Sequence, residues 1–278
     1  MTHTSTPVPP RHRTLLLRAS VRGEDVVRQI GVNAAASLSD VGAVLDVCLS
    51  PACTTGEGTW KVADGTEDST PVGEVLPHTG DAVTFEWGLW CVQVCAVDSY
   101  PRDAGTPEAL CVGGSGALPG TDFDLSDINA RLTGTRTIAA TLASARPEVR
   151  DVVERADIFD YVPLLQALDL SRETSVDPQL SRKLRELPLE NDQAASDAFW
   201  VTVLACSALI PREEMFEVVE TTMAALGWVE DDGEPLTAAA CFELCARSVE
   251  FIRGIHLVGP TLLPDVERID MFRELLRA

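Results

Sequence analysis

The chain has 278 residues, of which 45% are hydrophobic and 23% are charged, a composition ordinary for a globular protein and a length that favours two domains over one. Its formal net charge at pH 7 is −21, from 43 acidic and 22 basic side chains, which argues against nonspecific binding to nucleic-acid phosphates. It contains no apolar run of about 18 residues, which argues against a transmembrane helix.

Residues 1–12 are polar and rich in proline, which predicts a disordered tail. They lack the apolar core of a signal peptide, so we expect the protein to stay in the cytoplasm. Eight cysteines in such a chain then predict reduced thiols rather than a disulfide framework. Only Lys61 and Lys183 are lysines, a bias typical of GC-rich coding sequences such as those of actinobacteria.

The first elements are two strands and a helix. Alternating apolar residues predict one strand over Thr14–Val21 and a second over residues 26–32. Apolar residues at helical spacing predict a helix over residues 38–49. Ser37 with Asp40 three positions later is typical of the start of such a helix.

A short strand is predicted around Trp60, and residues 72–76 predict one more short helix or strand. Residues 83–87 and 89–97 are predicted to be paired or bent strands that meet at Gly88, because a glycine within a strand pattern often marks a bulge. The glycine-rich and proline-rich stretch over residues 101–120 predicts a long loop.

After about residue 133 the sequence pattern predicts helices instead of strands, which places a domain boundary there. A short β-hairpin is predicted near residues 228–236, at an Asp–Asp–Gly turn. Helices are predicted over residues 135–145, 148–158, 161–168, 180–187, 194–209, 211–226, 237–253 and 265–276.

One motif carries a family resemblance. The segment Phe85–Val94, with tryptophan at 87 and 90, is followed by Cys111–Val112–Gly113–Gly114 and Pro119–Gly120. This order resembles the signature of the Ri-plasmid (pRiA4b type) open-reading-frame-three-like family, a family without an established activity. The resemblance covers residues 13–132 and implies a compact α+β domain with a curved, mostly antiparallel sheet.

The motif also departs from that family. Gly88 is followed directly by Leu89 and Trp90, without the acidic residue that usually stands there and with a spacing one residue shorter. If the family has a polar site at this place, Glu86 and Asp122 are its remaining candidates in this chain. The candidate binding surface comprises Glu86, Trp87, Trp90, Cys111 and Asp122. For Trp87 and Trp90 the alternative, a place in the core, is the favoured interpretation.

Other chemical candidates are weaker. Cys241 and Cys245 lie on one face of a predicted helix, but no second ligand pair accompanies them, so core thiols are the favoured interpretation. Cys111 lies in the glycine-rich stretch, where backbone amides could lower a thiol pKa, although no histidine of the same motif could act as a base. We expect no metal and no cofactor.

The fold class predicted is α+β: a sheet domain over residues 13–133 and a helical, winged-helix-like domain over residues 134–278. The leading hypothesis is a noncatalytic binding protein with a protein partner of basic character, and without nucleic-acid or membrane partners. One alternative is a transcription-regulator-like protein that uses the helical domain. A second alternative is a thiol- or carboxylate-dependent enzyme at Cys111 or Glu86.

Overall fold

In the computed structural model the described residues are 12–49, 58–63, 65–103 and 105–278. They belong to two compact units, Met1–Thr135 and Arg136–Ala278. Sheet and helices occur together in the described residues, and the predicted α+β class is confirmed. Of the predicted tail, only His12 is among the described residues. One of the eight cysteines, Cys53, lies outside them.

The described part of the first unit holds six strands and three helices. Their bounds are β1 (Arg13–Val21), β2 (Val27–Asn33), α1 (Leu38–Leu49), β3 (Thr59–Lys61), α2 (Val72–Val75), β4 (Ala82–Trp87), β5 (Trp90–Pro101), β6 (Ala109–Ser115) and α3 (Leu125–Thr133). The strands form one sheet in the order β3-β4-β5-β1-β2-β6, and all neighbours are antiparallel.

The two faces of this sheet differ, because alternate residues of a strand point to opposite sides. One face packs its apolar side chains against α1 and α3 in a single core. The other face is more polar and more exposed. Exposed residues on it include Arg18, Gln29, Glu86 and Gln93.

The predicted loop over residues 101–120 is corrected by the structure. Residues 109–115 form β6, an edge strand that pairs with β2 from Val27 to Val32. Helix α3 was not predicted from the sequence either. Its Asn129 side chain accepts from the amide of Cys111 at 2.8 Å and donates to the carbonyl oxygen of Cys111 at 2.9 Å. Pairing with remote elements makes a strand of a segment whose glycines suggest a loop.

A glycine at the end of β6 yields a stability prediction. Gly116 has φ +69°, and a Cβ there would lie 1.8 Å from the carbonyl oxygen of Asp25. We expect Gly116→Ala to lower the free energy of unfolding by roughly 2–4 kcal/mol in urea titrations, since both backbone conformation and packing oppose a side chain. Gly120 has φ +82° in open space, so the control Gly120→Ala should cost only about 1–2 kcal/mol. Equal costs for the two would contradict the close approach at Gly116.

The second unit is helical. Its helices are α4 (Thr135–Ser144), α5 (Pro147–Ala156), α6 (Tyr161–Leu168), α7 (Pro178–Arg185), α8 (Gln193–Ser207), α9 (Arg212–Ala225), α10 (Ala238–Leu244), α11 (Ala246–Gly254) and α12 (Asp265–Leu276). Most residues of α8 are buried, and this helix belongs to the core of the unit. The single helix predicted over residues 237–253 is interrupted at Cys245, which separates α10 from α11.

The predicted hairpin of the second unit is reduced to one β-bridge. Val229 and Pro235 form this antiparallel bridge, and the amide of Glu230 donates to the carbonyl of Glu234 at 2.8 Å. From α8 to α10 the order is therefore helix, helix, bridged turn, helix. The acidic residues of the turn all lie exposed between the two arms.

Candidate functional site

The β4–β5 hairpin carries three of the predicted site residues. Its loop is the two-residue turn Gly88–Leu89, in which Gly88 has φ 58°, as a type II′ turn requires at its first position. Glu86 lies exposed and pairs with Lys61 at 3.1 Å. Leu89 is 100% exposed at the tip. The hairpin therefore presents an apolar side chain to solvent, next to an ion pair.

Trp87 lies inside the core instead of on a surface. It is 4% exposed, and its indole Nε1 donates to Asp46 Oδ1 of α1 at 3.0 Å. Trp90 lies opposite Trp87 across the hairpin and is half-buried against the same core. Both rings thus belong to the face that the helices cover, while Glu86 belongs to the other face.

Cys111 and Asp122 lie at the far edge of the sheet. Cys111 is on β6, separated from β4 by three strands, so at about 4.8 Å per strand it is roughly 19 Å from Trp87. It is buried, whereas Asp122 is exposed in the loop that precedes α3. The five predicted residues accordingly do not come together at one place.

The most unusual group beside Cys111 is a buried arginine that sequence reasoning did not select. Arg28 on β2 is 1% exposed, and its guanidinium carbon lies 4.1 Å from the centroid of the Phe123 ring. The guanidinium donates to main-chain carbonyls, those of Cys48 and Val27 at 2.8 Å, Ser115 at 2.9 Å and Gly116 at 3.0 Å. No carboxylate within the described ranges forms an ion pair with it.

Arg28 has a sequence signal that could have revealed it. Residues of one parity share a strand face, and Val26, Ile30 and Val32 are the apolar residues that define the buried face here. Arg28 has the same parity, so alternation alone places its side chain in the core. A charged residue at such a position indicates a dedicated set of hydrogen-bond acceptors.

Two thiols complete the surroundings of this arginine. Cys48 lies in the last turn of α1, and the thiol of Cys111 on β6 donates to the carbonyl oxygen of Gly113 at 3.6 Å. Interaction with Cys111, followed by burial, raises the pKa of Cys48, whereas interaction with Cys48 outweighs burial and lowers the pKa of Cys111 to about 7. The positive charge of Arg28 acts in the same direction on Cys111. Burial lowers the pKa of Arg28 itself.

Exposed acidic residues of the second unit occur along α9, the 229–235 turn and α10, and together they are called the acidic surface. Its exposed members are Glu213, Glu214, Glu217, Glu230, Asp231, Asp232, Glu234 and Glu243. None of these forms an ion pair with another described residue. Glu220 of α9 is different, because it accepts the amide of Ala238 at 2.8 Å at the start of α10. The neighbouring Arg212 stacks on Phe216 at 4.8 Å.

Cys241 and Cys245 of the second unit are core thiols. Both are buried, and Cys245 Sγ lies 3.3 Å from the carbonyl oxygen of Cys241. Burial is the main cause that raises the pKa of Cys241 to about 11 and that of Cys245 to about 12. Among the described residues, no group of three or more His, Cys, Asp or Glu side chains could hold a metal ion.

Two open clefts of the first unit lie away from the predicted residues. One, of about 410 Å³, is lined by Asn33, Asp40 and Glu108 among others. The other, of about 360 Å³, is lined by residues that include Arg13 and Asp98. The carboxylate of Glu108 is already bonded to Asn33 and to Arg102 at 2.7 Å each, and Arg13 is bonded to Ser99. Glu108 and Arg13 are therefore already engaged within the protein.

Comparison with known proteins gives a structural likeness of low similarity. No protein-family model and no curated protein matches the chain. The crystal structure of a protein of unknown function from Methanosarcina mazei Go1 is similar, with a TM-score of 0.34 and 15% identity, over 51% of this chain and 89% of that chain. In the part of the chain that the structure describes, no helix combines the length and apolar character needed to cross a membrane.

Proposed function

We propose that this protein is a noncatalytic binding protein and that the acidic surface of the second unit binds a basic protein partner. The observation that carries the proposal is the set of eight exposed carboxylates without ion pairs among the described residues. Exposed carboxylates without cationic partners create a negative potential, and that potential attracts a cationic partner. A basic surface would therefore gain both association rate and specificity here.

Apolar side chains among the carboxylates support a protein partner over a simple cation. Val229 in the turn and Leu244 at the end of α10 are both exposed. Protein interfaces combine apolar contacts at the centre with polar contacts at the rim. A basic partner could cover Val229 and Leu244 while its cations meet the surrounding acids.

The two alternatives have weaker support. A winged-helix-like regulator would place α9 and the 229–235 turn against DNA, but their exposed acids would face phosphates. An enzyme at Cys111 or Glu86 would need an accessible reactive group, whereas Cys111 is buried and Glu86 is paired with Lys61. Both alternatives therefore rank below the binding protein.

For the first unit we also infer membership of the Ri-plasmid (pRiA4b type) open-reading-frame-three-like family. Support comes from the motif at residues 85–94 and 111–120 together with the sheet-and-helix composition of the unit. The cytoplasmic location is a proposal that rests on the sequence alone.

Charge neutralisation tests the proposed function. The triple variant Glu213→Gln, Glu214→Gln and Glu217→Gln removes three unpaired charges from α9. We expect it to weaken binding of a fluorescein-labelled peptide of alternating Lys and Ala by about tenfold in anisotropy titrations at low salt. The affinity of the unmodified protein should fall steeply as salt is added, because the attraction is electrostatic.

The matched control neutralises three exposed acids elsewhere in the same unit. Glu173, Glu186 and Glu267 are exposed and have no ion pair among the described residues, so their replacement by Gln changes the net charge equally. Equal weakening by both triple variants would show attraction to net charge and contradict a localised site. Saturable binding of a mixed-sequence DNA duplex by the full chain would instead favour the regulator.

A further inference from the structure

The cleft of about 360 Å³ in the first unit lies at one end of the sheet, on the face that packs against the helices. Its walls are the start of β1, the end of β5 and residues 76–79, which follow α2. Arg13 and Pro101 are the last pair between β1 and β5, so the cleft lies where this strand pair ends. Ligand sites in proteins have volumes of about 300–1,000 Å³, which makes the cleft large enough for a small molecule.

The floor of this cleft is apolar and its rim is polar. The floor is formed by Leu15, Ala34, Leu76 and Ala96, none of which is more than 6% exposed. His78 and Thr79 form part of the rim and are exposed, so the cleft is reached from solvent. A closely packed floor can cover an apolar ligand group without first being reorganised, which lowers the cost of binding. The floor therefore suits a compact apolar body.

Arg13 supplies an oriented positive charge to the wall of the cleft. Its Nε donates to Ser99 Oγ at 2.6 Å and its Nη2 donates to the carbonyl oxygen of Ser99 at 3.0 Å. A guanidinium has five N–H donors in a rigid fork, so three remain, on Nη1 and Nη2. Among the described residues, these three have no acceptor and no carboxylate forms an ion pair with Arg13. Ser99 therefore fixes one edge of the guanidinium and leaves the Nη1–Nη2 edge for another acceptor.

Asp98 also lines the cleft, but its carboxylate is directed to the opposite face of the sheet. Asp98 pairs with Leu16 across the strands, whereas Ser99 pairs with Leu15, and neighbouring residues of a strand point to opposite sides. The carboxylate accepts from the Ser99 amide and from the Tyr100 hydroxyl, at 2.7 Å each. Its own donors thus hold Asp98 away from the charge of the arginine.

We propose that this cleft binds a small organic carboxylate, with its two oxygens on the Nη1–Nη2 edge of Arg13 and its apolar body on the floor. A planar carboxylate accepts two parallel N–H bonds from a guanidinium, and its single charge matches a single arginine. The hydroxyl of Thr79 has no bond to another described residue and is available as a further donor at the rim. The oriented arginine beside an apolar floor carries this assignment, which is independent of the acidic surface of the second unit.

The test is a titration of the ¹⁵N-labelled full chain with benzoate at neutral pH, followed by amide chemical shifts. We expect saturable shifts at Leu76, Thr79 and Ser99, with a dissociation constant on the order of 1 mM, as suits so small a ligand. Benzamide has the same shape without the charge and should bind at least about tenfold more weakly. The net charge of −21 repels anions on average, so nonspecific attraction would not produce this difference.

Two variants locate the charge that matters. Arg13→Gln keeps an amide donor near Ser99 but removes the charge, and it should weaken benzoate binding about tenfold. Arg18→Gln removes the same charge from the opposite face of the same strand, and it should leave benzoate binding unchanged. If Arg13→Gln does not fold, the comparison of benzoate with benzamide in the unmodified chain still decides. Equal binding of the two ligands, shifts away from the cleft or the lack of any saturable shift would overturn the proposal.

Discussion

Replacing Arg28 with methionine should lower the free energy of unfolding by roughly 3–5 kcal/mol, because several buried acceptors lose their donor at once. The methionine fills a similar volume but leaves the carbonyls of Cys48, Ser115 and Gly116 without the guanidinium. The stacking on Phe123 is lost as well. Urea titrations followed by tryptophan fluorescence would measure the change.

Arg18 provides the matched control, since it lies on the same sheet with its side chain exposed. No hydrogen bond or ion pair joins it to another described residue. Arg18→Met should therefore alter the free energy of unfolding by no more than about 0.5 kcal/mol. If Arg28→Met were equally mild, the buried arginine would not hold α1, β2 and β6 together as described.

Local signals explain which elements could be predicted. Helix α1 was predicted with its observed bounds, because its start is encoded by neighbours: Ser37 Oγ accepts from the Asp40 amide at 3.1 Å and Asp40 accepts from the Ser37 amide at 3.0 Å. Such a capping box depends on four consecutive residues and on no tertiary contact. The strands β1 and β2 followed equally from alternation along the chain.

Remote contacts explain what was missed. β6 is a strand because it pairs with β2 and because Asn129 of α3 binds the main chain of Cys111. Neither partner is visible within the glycine-rich segment itself, whose local composition predicts a loop. Helix α3 was missed because its few apolar residues give only a weak helical periodicity.

The candidate site shows the same division. Strand alternation puts Trp87 on the same face as Phe85, in the core, and Glu86 on the opposite face. The hydrogen bond from Trp87 to Asp46, however, depends on how α1 packs. The acidic residues of this surface can be read directly from the sequence. That Glu220 binds the start of α10 instead of joining this surface could not be read from charge alone.

Replacing Asp197 with alanine should destabilise the second unit by roughly 2–4 kcal/mol, because the donors around it would lose a buried charged acceptor. The carboxylate of Asp197 accepts from Arg155 at 2.6 Å, from Gln193 at 2.8 Å and from Trp228 Nε1 at 2.8 Å. It thereby joins α5, α8 and Trp228, the third residue after α9. Urea titrations followed by circular dichroism at a helical wavelength would measure the loss.

A second aspartate that pairs with Arg155 supplies the control for this prediction. Asp151 also pairs with Arg155, at 2.7 Å, but its side chain is 54% exposed where that of Asp197 is 2% exposed. Solvent screens such a pair and can replace its hydrogen bonds, so Asp151→Ala should cost no more than about 1 kcal/mol. The two variants remove the same functional group from the same arginine, each from within a helix. A similar cost for both would mean that Asp197 acts as a surface ion pair, whereas the expected difference measures what burial and its two further donors add.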